Sequence, residues 1–421
     1  MKKNFKFALL ACAALTAGFT SCSNDNDEPV VNPDGEKGHI TFTVKTSDLS
    51  TRAVTTTQDA SESTLNTIDV FVFRANGNIE KNVTFNVGAG KDVEPTGAPN
   101  EYELTGSPIE VIVEANKSVL LVGNLTTSLR SAITGAASAA FTQAYNETLA
   151  SLTASGNFVM VSGKLTETVT NSNTNLAPRH INAGNPVALE RLAAKLAVVY
   201  DGSLSASVSV AGGSIALSTL EYAVDNGNTV FNLTKPTVSP FSSATLTSFN
   251  VVEADPNGPA NHPFYLMENI ADGVAVNATM ARVRCKFTPT VVLDGTGSTG
   301  TLQTSGTFAT LAMSDGTVAY FEDIAAANAY IGAPTGIAPA PSAIPVEYLN
   351  GLCDYGITLE KTTNQFDVVR NTYYVITITG FGGIGLPTDP IVPITPTSKG
   401  YIKFDLVVKD WDPVTGGQSL S

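Results

Sequence analysis

The residues able to do chemistry are few and scattered. His39, His180 and His262 are the histidines, and Cys12, Cys22, Cys285 and Cys353 the cysteines. Metal sites and activated nucleophiles use short, fixed spacings such as C-x-x-C, H-E-x-x-H, G-x-S-x-G or a Walker loop, and none occurs. Glu268, Asp354 and Asp367 stand alone, so no general acid–base pair emerges. Asp389, Asp405, Asp410 and Asp412 lack calcium-loop spacing, although a site of backbone carbonyls would leave no mark in sequence. Gly295-Thr296-Gly297-Ser298-Thr299-Gly300 matches G-x-G-x-x-G and follows a strand-like run. A dinucleotide needs those glycines to open a helix, and residues 301–306 carry no helical pattern. That segment reads as a loop. Trp411, the single tryptophan, reads as a packing residue rather than a sugar-stacking platform. The expectation is a non-enzyme with no cofactor and no metal.

Bulk properties agree. The 421 residues allow two or three domains at roughly 150 residues each. A net charge of −14 repels a nucleic-acid backbone. Only 15% of residues are charged, against roughly 25% in an average soluble protein, while 43% are hydrophobic, enough for a core. Strand and turn formers dominate, including 35 Gly and 22 Pro.

Lys2, Lys3 and Lys6 precede an apolar run over 7–19, too short for a spanning helix and typical of an export signal. Phe19-Thr20-Ser21-Cys22 resembles a lipobox, with Phe where Leu is usual, which makes Cys22 the lipidated residue. Ser23-Asn24-Asp25-Asn26-Asp27-Glu28 follows as a solvated acidic tether, and it resembles the signal that sends lipoproteins to the outer surface. In an oxidising compartment a Cys285–Cys353 disulfide is permitted; two buried thiols are the alternative.

The body is patterned for strands. Ile40, Phe42 and Val44 alternate with polar residues, as a half-buried strand does. Residues 68–73 form another, and Asn76-Gly77 signals the hairpin to 83–87. Residues 128–155 suggest one or two short helices interrupted at Gly135, and 323–330 a further one. The chain from 166 to 185 reads as loop. Residues 187–200 are ambiguous, since Leu189, Leu192 and Leu196 fit a helix and the remainder a strand. Strands at 264–267, 279–288, 372–379 and 401–408 follow. Many short strands between turns indicate sandwiches.

Several segments in order resemble the fimbrillins, the major subunits of Bacteroides-type, or type V, pili. They are the signal to Cys22, the strand before Thr51-Arg52-Ala53, 158–163, 189–195, 264–269, 369–374 and 407–411. The resemblance implies an all-β chain with minor helices, built as two transthyretin-like antiparallel β-sandwich domains in tandem. Residues 1–21 would be the lipoprotein signal, 22–52 a propeptide with tether and detachable strand, 53–185 the N-terminal sandwich and 186–421 the C-terminal one. It implies a surface precursor held in the outer membrane by lipid, cut after Arg52 by an arginine-specific protease to leave Ala53 as N-terminus. The subunit would then polymerise by donor-strand exchange with copies of itself and other fimbrial subunits, supporting adhesion to host or bacterial surfaces and biofilm formation. Ile40, Phe42 and Val44 would be the self-strand. Ile402, Phe404, Leu406 and Val408 repeat its alternation and are the donor candidates, with Ile391, Val392 and Ile394 as a Pro-interrupted second. An anchor or tip subunit, and a glycan-binding surface lipoprotein, are the competing expectations.

Overall fold

The computed structural model describes residues 35–46, 60–136, 139–244, 246–254, 263–360, 365–388 and 401–411. Cys12, Cys22, Arg52, Ala53, His262, Asp389, Ile391, Val392, Ile394 and Asp412 lie outside the described residues. Strands dominate, helices are short, and the fold is all-β.

Two large sheet systems carry most of the chain. In the first, Lys37–Thr41 lies between Arg179–His180 and Ile109–Ile112. A nine-stranded sheet packs beside it, running Ile79–Asn86, Thr67–Phe73, Glu114–Gly123, Met160–Val161, Val187–Arg191, Thr43–Thr46, Glu101–Leu104 and Val93–Pro95, with Leu165–Val169 added to Glu114–Gly123. Between them lies a core of Ile40, Phe42, Val44, Ile68, Val70, Leu121 and Leu189, among others.

The second system is a sandwich. Its five-stranded sheet runs Glu253–Ala254, Ala193–Tyr200, Thr372–Phe381 and Ile402–Asp410, with Phe264–Met267 also on Ala193–Tyr200. The facing seven-stranded sheet is centred on Met280–Pro289, which pairs with Gly213–Ala216, Glu221–Asp225 and Leu352–Thr358. Leu196, Val198, Ile376 and Ile378 from one sheet meet Ile215, Val283, Phe287 and Ile357 from the other. Pairing is mostly antiparallel, but Ala193–Tyr200 runs parallel to Thr372–Phe381, reached over a long connection.

The ambiguous 187–200 stretch forms two strands. Val187–Arg191 joins the first system and Ala193–Tyr200 the second, so the chain changes sheets at the buried Leu192. The sequence-derived break before Pro186 lies one strand ahead of this crossover. The stretch 166–185, expected as loop, takes in most of Leu165–Val169 and all of Arg179–His180, strands whose pairing partners are distant in sequence. Helices form at Thr127–Ala136, where Gly135 sits in the last turn rather than between two helices, and at Leu149–Leu152. A third, Ile324–Gly332, is capped by Asp323, whose side chain accepts from the Ala326 amide. It covers a small sheet of Phe308–Ala312, Val318–Phe321 and Val346–Tyr348.

Candidate functional site

Residues 37–46 form a single leading segment that changes sheets at Phe42. Lys37–Thr41 pairs antiparallel with Ile109–Ile112 and parallel with Arg179–His180. Thr43–Thr46 pairs antiparallel with Glu101–Leu104 and parallel with Val187–Arg191. Both edges of both strands are therefore occupied. Gly38, Ile40, Phe42, Val44 and Thr46 are all buried at alternate positions, Thr43 is buried as well where the segment changes sheets, and Lys37 and Lys45 are less buried. Ile40, Phe42 and Val44 are 1%, 1% and 0% exposed, and Phe42 tilts against Phe85 with ring centres 5.9 Å apart. Gly38 is required by close approach, because a Cβ there would stand 2.5 Å from Val169 Cγ1. The polar ties are modest. His180 Nε2 lies 3.3 Å from Thr43 Oγ1, the Lys37–Glu110 pair is exposed at 3.8 Å, and His39 Nδ1 is buried without a hydrogen-bond partner.

The described chain resumes at the short 3-10 turn Ala60–Glu62, and Glu62 is the centre of a buried junction that sequence reasoning missed. Its Oε1 accepts from Lys195 Nζ at 2.6 Å and from Tyr265 OH at 2.7 Å, and its Oε2 accepts from Trp411 Nε1 at 2.9 Å. Its carbonyl accepts from Arg191 Nε at 2.8 Å. The Arg191 guanidinium lies 4.8 Å from the Trp411 ring centre, and Tyr265 stacks on that ring at 5.7 Å. Trp411, 4% exposed, is thus a packing residue that offers no face to a sugar.

Trp411 terminates the closing strand, Ile402–Asp410, which pairs with Thr372–Phe381. Phe404, Leu406 and Val408 oppose Ile378, Ile376 and Tyr374 and share their core-facing side. A register shift opposite residues 378–380 keeps Ile402 inward as well. Burial along the strand is uneven. Ile402 is 8% exposed, Leu406 and Val408 are half-buried, and Phe404 is 37% exposed. The strand's other edge has no partner among the described residues.

The remaining candidates are brought into structural roles. Arg370 Nε donates to Glu268 at 2.9 Å, both side chains being buried; Arg282 and Arg284 both donate to Asp354; and Asp367 accepts from the Ala271 amide. Asp405 is exposed on the closing strand. The glycine-rich stretch is an ordered turn in which Asp294 Oδ1 accepts from the Thr296 and Ser298 amides and Gly297 takes φ +82°. It leads into the Phe308–Ala312 strand rather than a helix, so it forms no pyrophosphate cradle. No cluster able to hold a metal occurs among the described residues. Cys285 and Cys353 stand in register across two strands, unbonded in this structure, with Sγ atoms 3.7 Å apart. The hydrogen bond between them, with burial added, pushes Cys285 well up, and the same bond holds Cys353 down.

Comparison with known proteins resolves what such a chain is. Residues 39–191 match the family model of the major fimbrial subunit protein (FimA), and residues 347–415 match that of the C-terminal part of the fimbrillin major fimbrial subunit. The chain belongs to the fimbrillin family. The first match starts within the leading segment and ends where Val187–Arg191 ends; the second contains Cys353, the closing strand and Trp411. Among solved structures this fimbrillin shares the fold of a putative cell adhesion protein from Parabacteroides distasonis, with TM-score 0.52, 13% identity, and 90% of this chain and 99% of that one covered. It likewise resembles a fimbrilin from Porphyromonas gingivalis, with TM-score 0.51, 16% identity, and 90% and 99% covered. No curated protein matches the sequence. The families are fimbrial structural subunits, not enzymes, and the fimbrillin is a subunit of a cell-surface fimbria.

Proposed function

We propose that this fimbrillin is a shaft subunit, exported as a lipoprotein on Cys22, cut between Arg52 and Ala53 by an arginine-specific surface protease, and polymerised by strand exchange. The observation that carries the reading is the placement of residues 37–46. The segment is hydrogen-bonded on both edges and inserts Ile40, Phe42 and Val44 into the core, yet joins the body through residues 47–59, which contain Arg52. A cut there allows a whole ladder rung to leave. The groove left behind would show unpaired backbone groups and three apolar pockets, a surface that takes up an extended strand.

The incoming strand is Ile402, Phe404, Leu406 and Val408 of the next subunit, whose alternation matches that of Ile40, Phe42 and Val44. Each apolar side chain so buried contributes roughly 1.5–3 kcal/mol and each main-chain bond about 0.5–1.5 kcal/mol, enough to offset the cost of association. The resulting fimbria would support adhesion and biofilm formation. A second reading is favoured by Trp411, whose junction with Glu62 holds the closing strand in its own sandwich. There the donor is the segment containing Ile391, Val392 and Ile394, or the subunit stays lipidated as an anchor.

Mass spectrometry of protein sheared from cells tests the reading. The shaft assignment expects a mature chain beginning at Ala53, and Arg52→Ala should accumulate lipidated precursor without polymer. Polymer that retains residues 22–52, or polymer of normal length from Arg52→Ala, would overturn it.

A further inference from the structure

We propose that Cys285 and Cys353 are an oxidative modification site, joined as a disulfide in the exported protein. They occupy directly opposed positions of the antiparallel Met280–Pro289 and Leu352–Thr358 strands. Both point into the core between the sandwich sheets, beside Val283, Phe287, Tyr355 and Ile357, and both are 0% exposed. Opposed residues of such a pair have Cα atoms about 4.5–5.5 Å apart, within the roughly 4.4–6.8 Å that a disulfide accepts. The sulfurs, at 3.7 Å, need only about 1.7 Å of closure, which side-chain rotation supplies. Two sulfurs without other ligand side chains do not make a metal site, and none is grouped with them among the described residues.

The location gives the bond a task. The chain leaves the sandwich after Met280–Pro289, builds the small sheet and the Ile324–Gly332 helix, and returns as Leu352–Thr358. Cys285 and Cys353 stand at the foot of this excursion. A bond there closes a loop across 68 positions and holds its two ends together, so that load on the excursion does not unzip the two strands.

The chemistry is thiol–disulfide exchange with a dithiol–disulfide oxidoreductase of the export compartment. One cysteine thiolate attacks the oxidant's disulfide and releases one of its sulfurs as a thiol. The second cysteine then displaces the other, so the oxidant departs as a dithiol carrying the electron pair and both protons. Because neither sulfur is accessible in the fold, exchange takes place before the two sheets close. The proposal rests on the export reading only for access to that oxidant, and its readout is independent of cleavage at Arg52.

The test uses full-length protein expressed in its own cells, collected without reductant and unfolded in excess alkylating reagent. Peptide mapping should find a linked Cys285–Cys353 peptide about 2 Da lighter than the two thiol peptides together. Reductant should lower the unfolding midpoint of this protein while leaving that of a Cys285→Ala/Cys353→Ala double variant unchanged. Alkylation of both cysteines in most molecules of the wild-type chain would overturn the proposal, and that measurement does not depend on any variant folding.

Discussion

Trp411 Nε1 donates to Glu62 Oε2 over 2.9 Å, joining residues 349 positions apart. One partner ends the closing strand. The other lies in the first described turn after the stretch containing Arg52. Strand exchange by the closing strand must therefore break this contact and pull the indole off Tyr265 and Arg191. The junction would therefore report on any release of that strand.

Trp411 is the only tryptophan, so its fluorescence reads the closing strand alone. If that strand is the donor, emission should shift and its quenching change as mature subunits polymerise. Emission identical in monomer and polymer would place the donor elsewhere, with Ile391, Val392 and Ile394 next in line.

Glu62 is 1% exposed and faces buried Lys195, with Arg191 on its carbonyl. Replacing it with Ala leaves Lys195 without its carboxylate in a water-poor site, a loss of about 3–5 kcal/mol. Glu62→Gln keeps the shape and an acceptor and should lose less. Denaturant unfolding of the two variants checks the order; equal and small losses would mean the junction is hydrated and not structural.

The leading strand is legible in sequence because its periodicity is local. Ile40, Phe42 and Val44 reveal their inward face through the polar residues between them. The Glu62 junction is not, because its burial depends on partners 133, 203 and 349 positions away. The 187–200 stretch misleads for a different reason. Leu189 and Leu196 face different cores, with Leu192 at the crossover, so two strands in tandem mimic a helical spacing. The 165–169 and 179–180 strands carry no strong alternation, and their partners supply the pairing. The leading segment was thus visible from its own residues, and the polar contacts that tie its surroundings together were not.

Burial pushes the phenols of Tyr145, Tyr373 and Tyr374 up to about 12 from an ordinary 10.0. The folded protein therefore favours the neutral phenol, and the unfolded chain ionises first. The stability this provides is complete below pH 10 and is lost as pH rises through about 12, on the order of 2 kcal/mol for each group. Alkaline unfolding should begin above pH 10 and coincide with the rise in tyrosinate absorbance. Smooth phenol titration without loss of β structure would show that these side chains reach water in the native state.

The closing strand allows assembly to be separated from folding. Phe404 and Ile402 share its core-facing side, but in the monomer Phe404 is 37% exposed and Ile402 8%. An aspartate at 402 would be buried unpaired in the subunit's own core, whereas one at 404 stands where the side chain already meets solvent. Ile402→Asp should therefore lower monomer stability markedly, and Phe404→Asp only slightly. In a neighbour's groove both positions would enter apolar pockets, so Phe404→Asp should abolish polymer while leaving a folded, processed monomer. Lys403 is exposed, and Lys403→Asp should affect neither property. Unfolding midpoints and polymer resistance to mild heating in detergent, measured on the same purified variants, give the two readouts. If Phe404→Asp polymerises as Lys403→Asp does, no pocket receives residue 404, and the closing strand remains in its own sheet.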